Sequence, residues 1–401
     1  MVYIMGLMGI ALKNLFWVIC SPLFLVVLIL LYIQYRRLRK MEMKTLGYNT
    51  NSIRNKMIKS SIYGIGVSLI GTIVVILLGI GVNIKDFYFI LPLALILLLI
   101  NVRYLCFSYG GSIICIISFF TGFPKINISS VIALIGLLHL LESILIYLDG
   151  SNDYMPMVME NEKYELVGAF SMQRFWPIPF IILIGVSTRY NNSMSSWWPL
   201  LASKDYAYEL AGAIAALGYG DMTCIYDPKV KSKIIAKRLF LYSISTIILS
   251  VISMKITIFK LIAPVFCITC HELLIRMSLK EEKEKTPLYI PGDEGVLVLE
   301  VMEKSPAHYM GLKRGDKIVA VNGYRVNNES DIRYSLNMNE NECNIHILKD
   351  GRLLIRNYKK RVYRLGAFVI SKDSRVVLQL SNNFSILKKI INKFKKRKHA
   401  V

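Results

Sequence analysis

Apolar residues gather in runs that stop near Lys280. A bilayer's hydrocarbon core takes about 20 apolar residues as helix. By that measure, candidate spans fall at 15–35, 61–83, 87–102, 104–122, 131–148, 175–188, 236–254 and 256–273. A ninth stretch, 207–219, reads AYELAGAIAALGY and carries Glu209, which suits an interfacial or re-entrant helix. Met1 to Leu12 is apolar, Lys13 and Asn14 interrupt, and a longer run begins at Leu15. No small-residue cleavage site follows that run, so a retained first span is expected rather than a cleaved signal peptide. The pattern predicts a polytopic helical bundle over 1–280, with about eight spans.

Beyond Lys280 the pattern changes. Residues 281–285 read EEKEK, a charged linker. Short β-like runs with turn signals follow. Gly295 to Val301 is a strand after a Pro-Gly turn at 291–292. Ser305-Pro306-Ala307 opens a short helix that Gly311 ends, and Lys313 to Asp316 is a turn. Ile318 to Val321 is a second strand, closed by Asn322-Gly323, a strong turn dipeptide. Ser330 caps a helix over Asp331 to Leu336. Cys343 to Leu348 and Arg352 to Tyr358 read as a hairpin around Asp350-Gly351.

Charge refines this picture. Lys and Arg number 49 against 27 Asp and Glu, a net charge of +22. The basic residues flank apolar runs or crowd the last stretch of chain, where they meet anionic headgroups. No nucleic-acid motif is present, so nucleic acid is not expected as a partner. Arg36, Arg37, Arg39, Lys40, Lys44, Arg54, Lys56 and Lys59 lie between the first two spans and mark a cytoplasmic loop. Lys229, Lys231, Lys233, Lys237 and Arg238 mark another. The last two spans form a hairpin around Met254 and Lys255, which returns the chain to the same side at Arg276. The C-terminal third is therefore expected in the cytoplasm and the N-terminus outside. The acidic stretch from Ser151 to Glu165 reads as a polar loop. Trp176, Trp197 and Trp198, near Pro177 and Pro199, read as interface anchors. The seven cysteines form no paired framework. Cys267 and Cys270, a CxxC inside an apolar span, read as small buried residues.

The order SPA, GLKRGD, IVAVNG over 286–360 closely resembles bacterial PDZ domains. The resemblance implies a small α/β module, β-sandwich-like with two helices, that binds an extended peptide by adding a strand to a sheet edge. It puts that edge at Gly295, Val296, Leu297, Val298 and Leu299, and the facing wall at Ile332, Arg333 and Leu336. Amides around Asp293, Glu294, Gly295 and Val296 would receive a carboxylate. The charges of Asp293 and Glu294 oppose a free C-terminus and leave an internal strand or loop open as ligand.

The whole chain resembles the MinJ-like cell-division topological determinants of Firmicutes, which join a many-span membrane domain to one cytoplasmic PDZ domain. Gln173-Arg174-Phe175-Trp176-Pro177-Ile178-Pro179, Trp197-Trp198-Pro199, Leu217-Gly218-Tyr219-Gly220-Asp221 and His271-Glu272 carry that resemblance. It implies a scaffold in the bacterial plasma membrane, at septum and poles. Such a scaffold bridges a DivIVA-like polar protein to a MinD-like ATPase and needs no cofactor.

Ionisable residues inside apolar spans are functional candidates by default. His139 and Glu142 share a helix face, Asp149 stands in Leu148-Asp149-Gly150, and His271-Glu272 closes the last span. A site-2-type intramembrane metalloprotease is the alternative they suggest, with His139, Glu142, His271 and Glu272 as metal site. Its HExxH motif places two His one turn apart around the catalytic Glu. Here the motif reads His271-Glu272-Leu273-Leu274-Ile275, without the second His, and the Asp-Gly motif precedes the PDZ-like module instead of following it. The buried polar pair is the simpler reading, and no metal site is expected.

The remainder, 361–401, ends in a basic amphipathic helix. Phe384, Leu387, Ile390, Ile391 and Phe394 recur at helical spacing among Lys388, Lys389, Lys393, Lys395, Lys396, Arg397 and Lys398. Such a helix suits an anionic inner leaflet.

Overall fold

A computed structural model describes residues 2–47, 51–186, 198, 200–202, 207–338, 341–349 and 351–374. The basic tail at 384–398, Trp197 and Pro199 lie outside them. Helices α1 (Val2–Ile19) and α2 (Pro22–Leu46) meet at Ser21, whose hydroxyl caps α2 ahead of Pro22. Then come α3 (Ile53–Leu78), the short strand β1 (Gly81–Val82), α4 (Ile84–Ile100), α5 (Phe107–Thr121) and α6 (Ile128–Asp149). Strands β2 (Met155–Asn161), β3 (Glu165–Val186) and β4 (Ala207–Thr223) follow, then α7 (Pro228–Lys255) and α8 (Phe259–Glu284).

Among the described residues, α3, α6, α7 and α8 are long and apolar enough to cross a membrane. The pair α1–α2, bent by 55° at its break, is long and apolar enough when taken together, as a broken span or a re-entrant loop. The expected spans at 87–102 and 104–122 are shorter helices, and Pro92 lies inside the first of them. Large apolar side chains such as Phe16, Trp17, Leu25, Ile29, Leu91, Ile96 and Leu241 stay exposed, as a hydrocarbon solvent permits.

The stretches 175–188 and 207–219 are not helices. They belong to β3 and β4, an antiparallel ribbon in unbroken register from Phe170–Thr223 to Val186–Ala207. Pro177 and Pro179 deny a helix two interior N–H groups. The residues around them, Ile178, Ile181, Ile182, Ile184 and Val186, are β-branched. The prolines also resolve the free edge of β3. N–H groups at alternate strand positions point to the same edge, here 175, 177, 179 and 181. Phe175 N donates to Tyr35 Oη at 3.3 Å and Ile181 N to Thr72 Oγ1 at 3.2 Å. The two prolines between them have no N–H to satisfy. Helix α3 lies directly on this edge, and a Cβ added at Gly64 would overlap the carbonyl of Pro177.

The acidic stretch after α6 is not a loop either. Strand β2 within it pairs with the start of β3. Asp149 and Asp153 reach Arg174 of β3, whose side chain is fully buried. Trp176 and Trp198 are buried too, so neither is an interface anchor. Their indole N–H groups donate to Asp149 Oδ2 at 2.7 Å and to Ile76 O at 2.8 Å. Lys56 is buried in an ion pair with Glu42, and Lys231 is buried against Glu282 at 2.7 Å. Both lie within stretches read from sequence as cytoplasmic basic segments.

The C-terminal region is strand-rich. Its elements are β5 (Val296–Val301), α9 (Pro306–Tyr309), β6 (Lys317–Val321), β7 (Tyr324–Arg325), α10 (Glu329–Asn337), β8 (Cys343–Lys349), β9 (Arg352–Tyr358) and β10 (Ala367–Ile370). Asn328, not Ser330, caps α10, and Asp331 completes a capping box. The sheet order is β10-β5-β6-β8-β9, with β7 on β6. Val296, Val298, Ile318, Val321, Ile332, Leu336, Ile345 and Val369 share its core.

Candidate functional site

The site begins with β5, where alternation sends successive side chains to opposite faces. Val296 and Val298 face the module's own core. Leu297 and Leu299 face outward and pack with Ile370 against Val158 and Phe170 of the bundle-side sheet. Backbone bonds reinforce this seam. Gly168 N donates to Tyr289 O and Leu288 N to Cys224 O, each at 2.8 Å. Arg314, in the turn before β6, reaches Glu300 at 2.6 Å and Asp227 at 2.5 Å. Its guanidinium also lies over Phe170, 4.6 Å from the ring centroid. Tyr154 donates to Glu300 at 2.6 Å, and burial together with that bond pushes its phenol up from the ordinary value.

The expected peptide edge at Gly295–Leu299 is therefore occupied. Strand β10 pairs antiparallel with β5 from Val301–Ala367 to Leu297–Ile370, and β6 takes the opposite edge at Val296 and Leu297. Of the expected carboxylate donors, Gly295 N is engaged: it donates to Asn327 Oδ1 at 3.0 Å. Further along β5, Val298 N donates to Asp316 O at 2.8 Å. Gly295 has φ +71°, and a Cβ there would meet Ile318 O at 2.6 Å, so the position is shaped by chain packing. Asp293 is exposed and paired with Lys372, whose hydrogen bond holds the Asp293 carboxyl below its ordinary range. Glu294 beside it is exposed. Ile332 and Leu336 of α10 face the core, while Arg333 turns out to solvent and pairs with Glu329 at 2.6 Å.

Among the described residues, the sheet ends at β10 on this side. Val369 of β10 lies in one apolar cluster with Ile332 and Leu336 of α10. The sheet edge next to α10 is thus one strand further out than the sequence suggested. The order of motifs could not reveal this, because β10 follows β5 by more than sixty residues and closes the sheet by a long return.

In the bundle, the residues suggested as an alternative metal set divide. His139 and His271 come together, and Cys106, at the start of α5, joins them. Glu142 does not join this trio. Glu272 points elsewhere: its Oε1 accepts from Arg103 at 3.3 Å and Arg276 at 2.9 Å, and its Oε2 from Tyr109 at 2.9 Å. Held by two guanidinium groups, it is an ion-pair partner and not a free base. Cys267 is buried and Cys270 half-buried, both as free thiols. Cys106 carried no local signal, because it lies 33 and 165 residues from its two neighbours in the trio.

Comparison with known proteins agrees with this architecture. Residues 297–345 match the PDZ domain family. The chain is 24% identical over 253 residues to the cell division topological determinant MinJ of Bacillus subtilis, a match covering 61% of this chain and 62% of that protein. It is 23% identical over 226 residues to the probable cell division topological determinant MinJ of Lacticaseibacillus paracasei, covering 55% and 59%. The matches thus span less than two thirds of these relatives' lengths. Apolar helices, strand-rich module and family match together describe a MinJ-like protein with a PDZ domain.

Proposed function

We propose that this chain is a membrane-anchored adaptor in division-site selection, which recruits a protein partner through its PDZ domain and performs no chemistry of its own. The observation that carries the proposal is the similarity to MinJ across 253 residues, combined with the PDZ match. The basic residues at 36–59 support a cytoplasmic PDZ domain. By resemblance the partners are DivIVA-like and MinD-like proteins. The basic tail at 384–398 suits anionic lipid.

The partner's segment adds as a strand along the outer edge of β10, beside α10. Main-chain pairing gives affinity there and side-chain pockets give selectivity. Arg333 and Tyr334 are exposed on α10, the helix that walls this groove in the proposal. The test images a C-terminal fusion to a fluorophore that matures only in cytoplasm, in dividing cells of the source. Septal and polar signal that becomes uniform in Arg333→Glu/Tyr334→Ala supports the adaptor. Uniform membrane signal in the unaltered chain overturns the division role. Absence of fluorescence at normal protein level overturns the orientation. Loss of function in Glu272→Gln at normal abundance would favour the protease instead.

A further inference from the structure

Cys106, His139 and His271 come from three separate elements: the turn before α5, the middle of α6 and the middle of α8. Their donor atoms lie within 4.8 Å of one another. Cys106 Sγ is 3.2 Å from His139 Nε2 and 3.6 Å from His271 Nε2. Zinc binds thiolate at about 2.3 Å and imidazole at about 2.0–2.1 Å. A tetrahedral angle at those lengths sets sulfur and nitrogen about 3.6 Å apart.

The outer partners fix both rings in the state a metal needs. His139 Nδ1 lies 2.7 Å from Ile135 O. A carbonyl can only accept, so Nδ1 carries the proton and Nε2 presents its lone pair toward Cys106. His271 Nδ1 lies 3.3 Å from Tyr109 Oη. The Tyr109 proton goes to Glu272 Oε2 at 2.9 Å, so the phenol oxygen accepts from Nδ1–H and frees Nε2. Ligating histidines characteristically hold a carbonyl or a carboxylate-linked group on their other nitrogen. Both do so here, and the second relay ends on a carboxylate balanced by Arg103 and Arg276. His139 is 2% exposed, while Cys106 and His271 are half-buried and give an ion a way in.

We propose that Cys106, His139 and His271 form a Zn²⁺ site. One thiolate and two imidazoles suit a borderline-soft ion. Among the described residues no fourth His, Cys, Asp or Glu joins the cluster, so water completes the tetrahedron. Binding forms one Zn–S and two Zn–N bonds and releases the Cys106 thiol proton to water. The site's role is to staple α5, α6 and α8. It does not hydrolyse peptides, because Glu272 is committed to Arg103, Arg276 and Tyr109. The adaptor reading neither requires this site nor depends on it.

The test uses the full chain purified in detergent, with Zn²⁺ as the probe. Elemental analysis after dialysis should give about one zinc per chain. Cys106→Ser and His139→Ala should fall below about a tenth of that, while Cys270→Ser, immediately before His271, keeps it. As a check independent of variant folding, Co²⁺ added to the stripped unaltered chain should produce a thiolate-to-cobalt charge-transfer band that one equivalent of Zn²⁺ abolishes. Monodisperse unaltered protein with neither zinc nor the cobalt band overturns the proposal. So does zinc that persists undiminished in well-folded Cys106→Ser.

Discussion

Arg314 Nη1 donates to Asp227 Oδ2 at 2.5 Å, and this contact ties the PDZ domain to the foot of α7. The same guanidinium serves Glu300 and Tyr154, so one side chain closes the seam between two sheets. Arg314→Gln should cost about 1–3 kcal/mol, because Glu300 loses its charge partner in a half-buried place. The seam should also open more often, which exposes the segment 285–295. Limited proteolysis in detergent checks this: cleavage there should accelerate in the variant while the bundle stays intact. Unchanged cleavage would show that the apolar contact of Leu297, Leu299 and Phe170 and the backbone bonds hold the seam without Arg314.

Arg174 and Asp149 are both fully buried, with Nε at 2.8 Å and Nη2 at 2.5 Å from one carboxylate oxygen. Removing one partner of such a pair leaves a buried charge alone. Arg174→Met should destabilise by about 3–5 kcal/mol. Adding Asp149→Asn should recover part of the loss, since the amide oxygen still accepts from Trp176 and only the Asp153 carboxylate keeps its charge. Unfolding of the three proteins in detergent measures the coupling, and strict additivity would contradict it.

Thr72 Oγ1 is the acceptor for Ile181 N on the free edge of β3. Thr72→Val keeps the shape and strands that N–H, at a cost of about 1–3 kcal/mol. Thr72→Ser keeps the hydroxyl and should lose only about 1 kcal/mol for the missing methyl. Equal losses in the two variants would mean that the hydroxyl contributes nothing to the edge.

Cys343 in β8 is 1% exposed, and burial pushes its thiol up to about 11. The fold therefore favours the neutral thiol. Its contribution to stability is complete below the unfolded thiol value of about 8.5 and is lost as pH rises through about 11. Alkylation of Cys343, followed by peptide mass spectrometry, should keep rising through pH 10 and jump on denaturation. A rate that levels off by pH 9 would mean an accessible thiol.

Apolar runs and turn signals in the sequence sufficed for the long apolar helices and the PDZ module, because these follow from local periodicity and from dipeptides with fixed backbone demands; residues 281–284, read as part of a charged linker, instead continue α8, where Glu282 is buried against Lys231. The motif around Arg174 and Trp176 stood out as a string. Its purpose, a buried ion pair with Asp149 under a β-ribbon, depended on a partner 25 residues away. The stretches 175–188 and 207–219 show where periodicity runs out. A continuous apolar run has the same composition whether it spans a bilayer as helix or lies in a buried strand. Here Pro177, Pro179 and the hydroxyls of Tyr35 and Thr72 decide for the strand. The strand on the edge of β5 was hidden for a related reason: which strand ends a sheet depends on where the chain returns, and β10 returns late. The meeting of Cys106, His139 and His271 is likewise a property of packed helices, since no spacing along the chain brings three such distant side chains to one point.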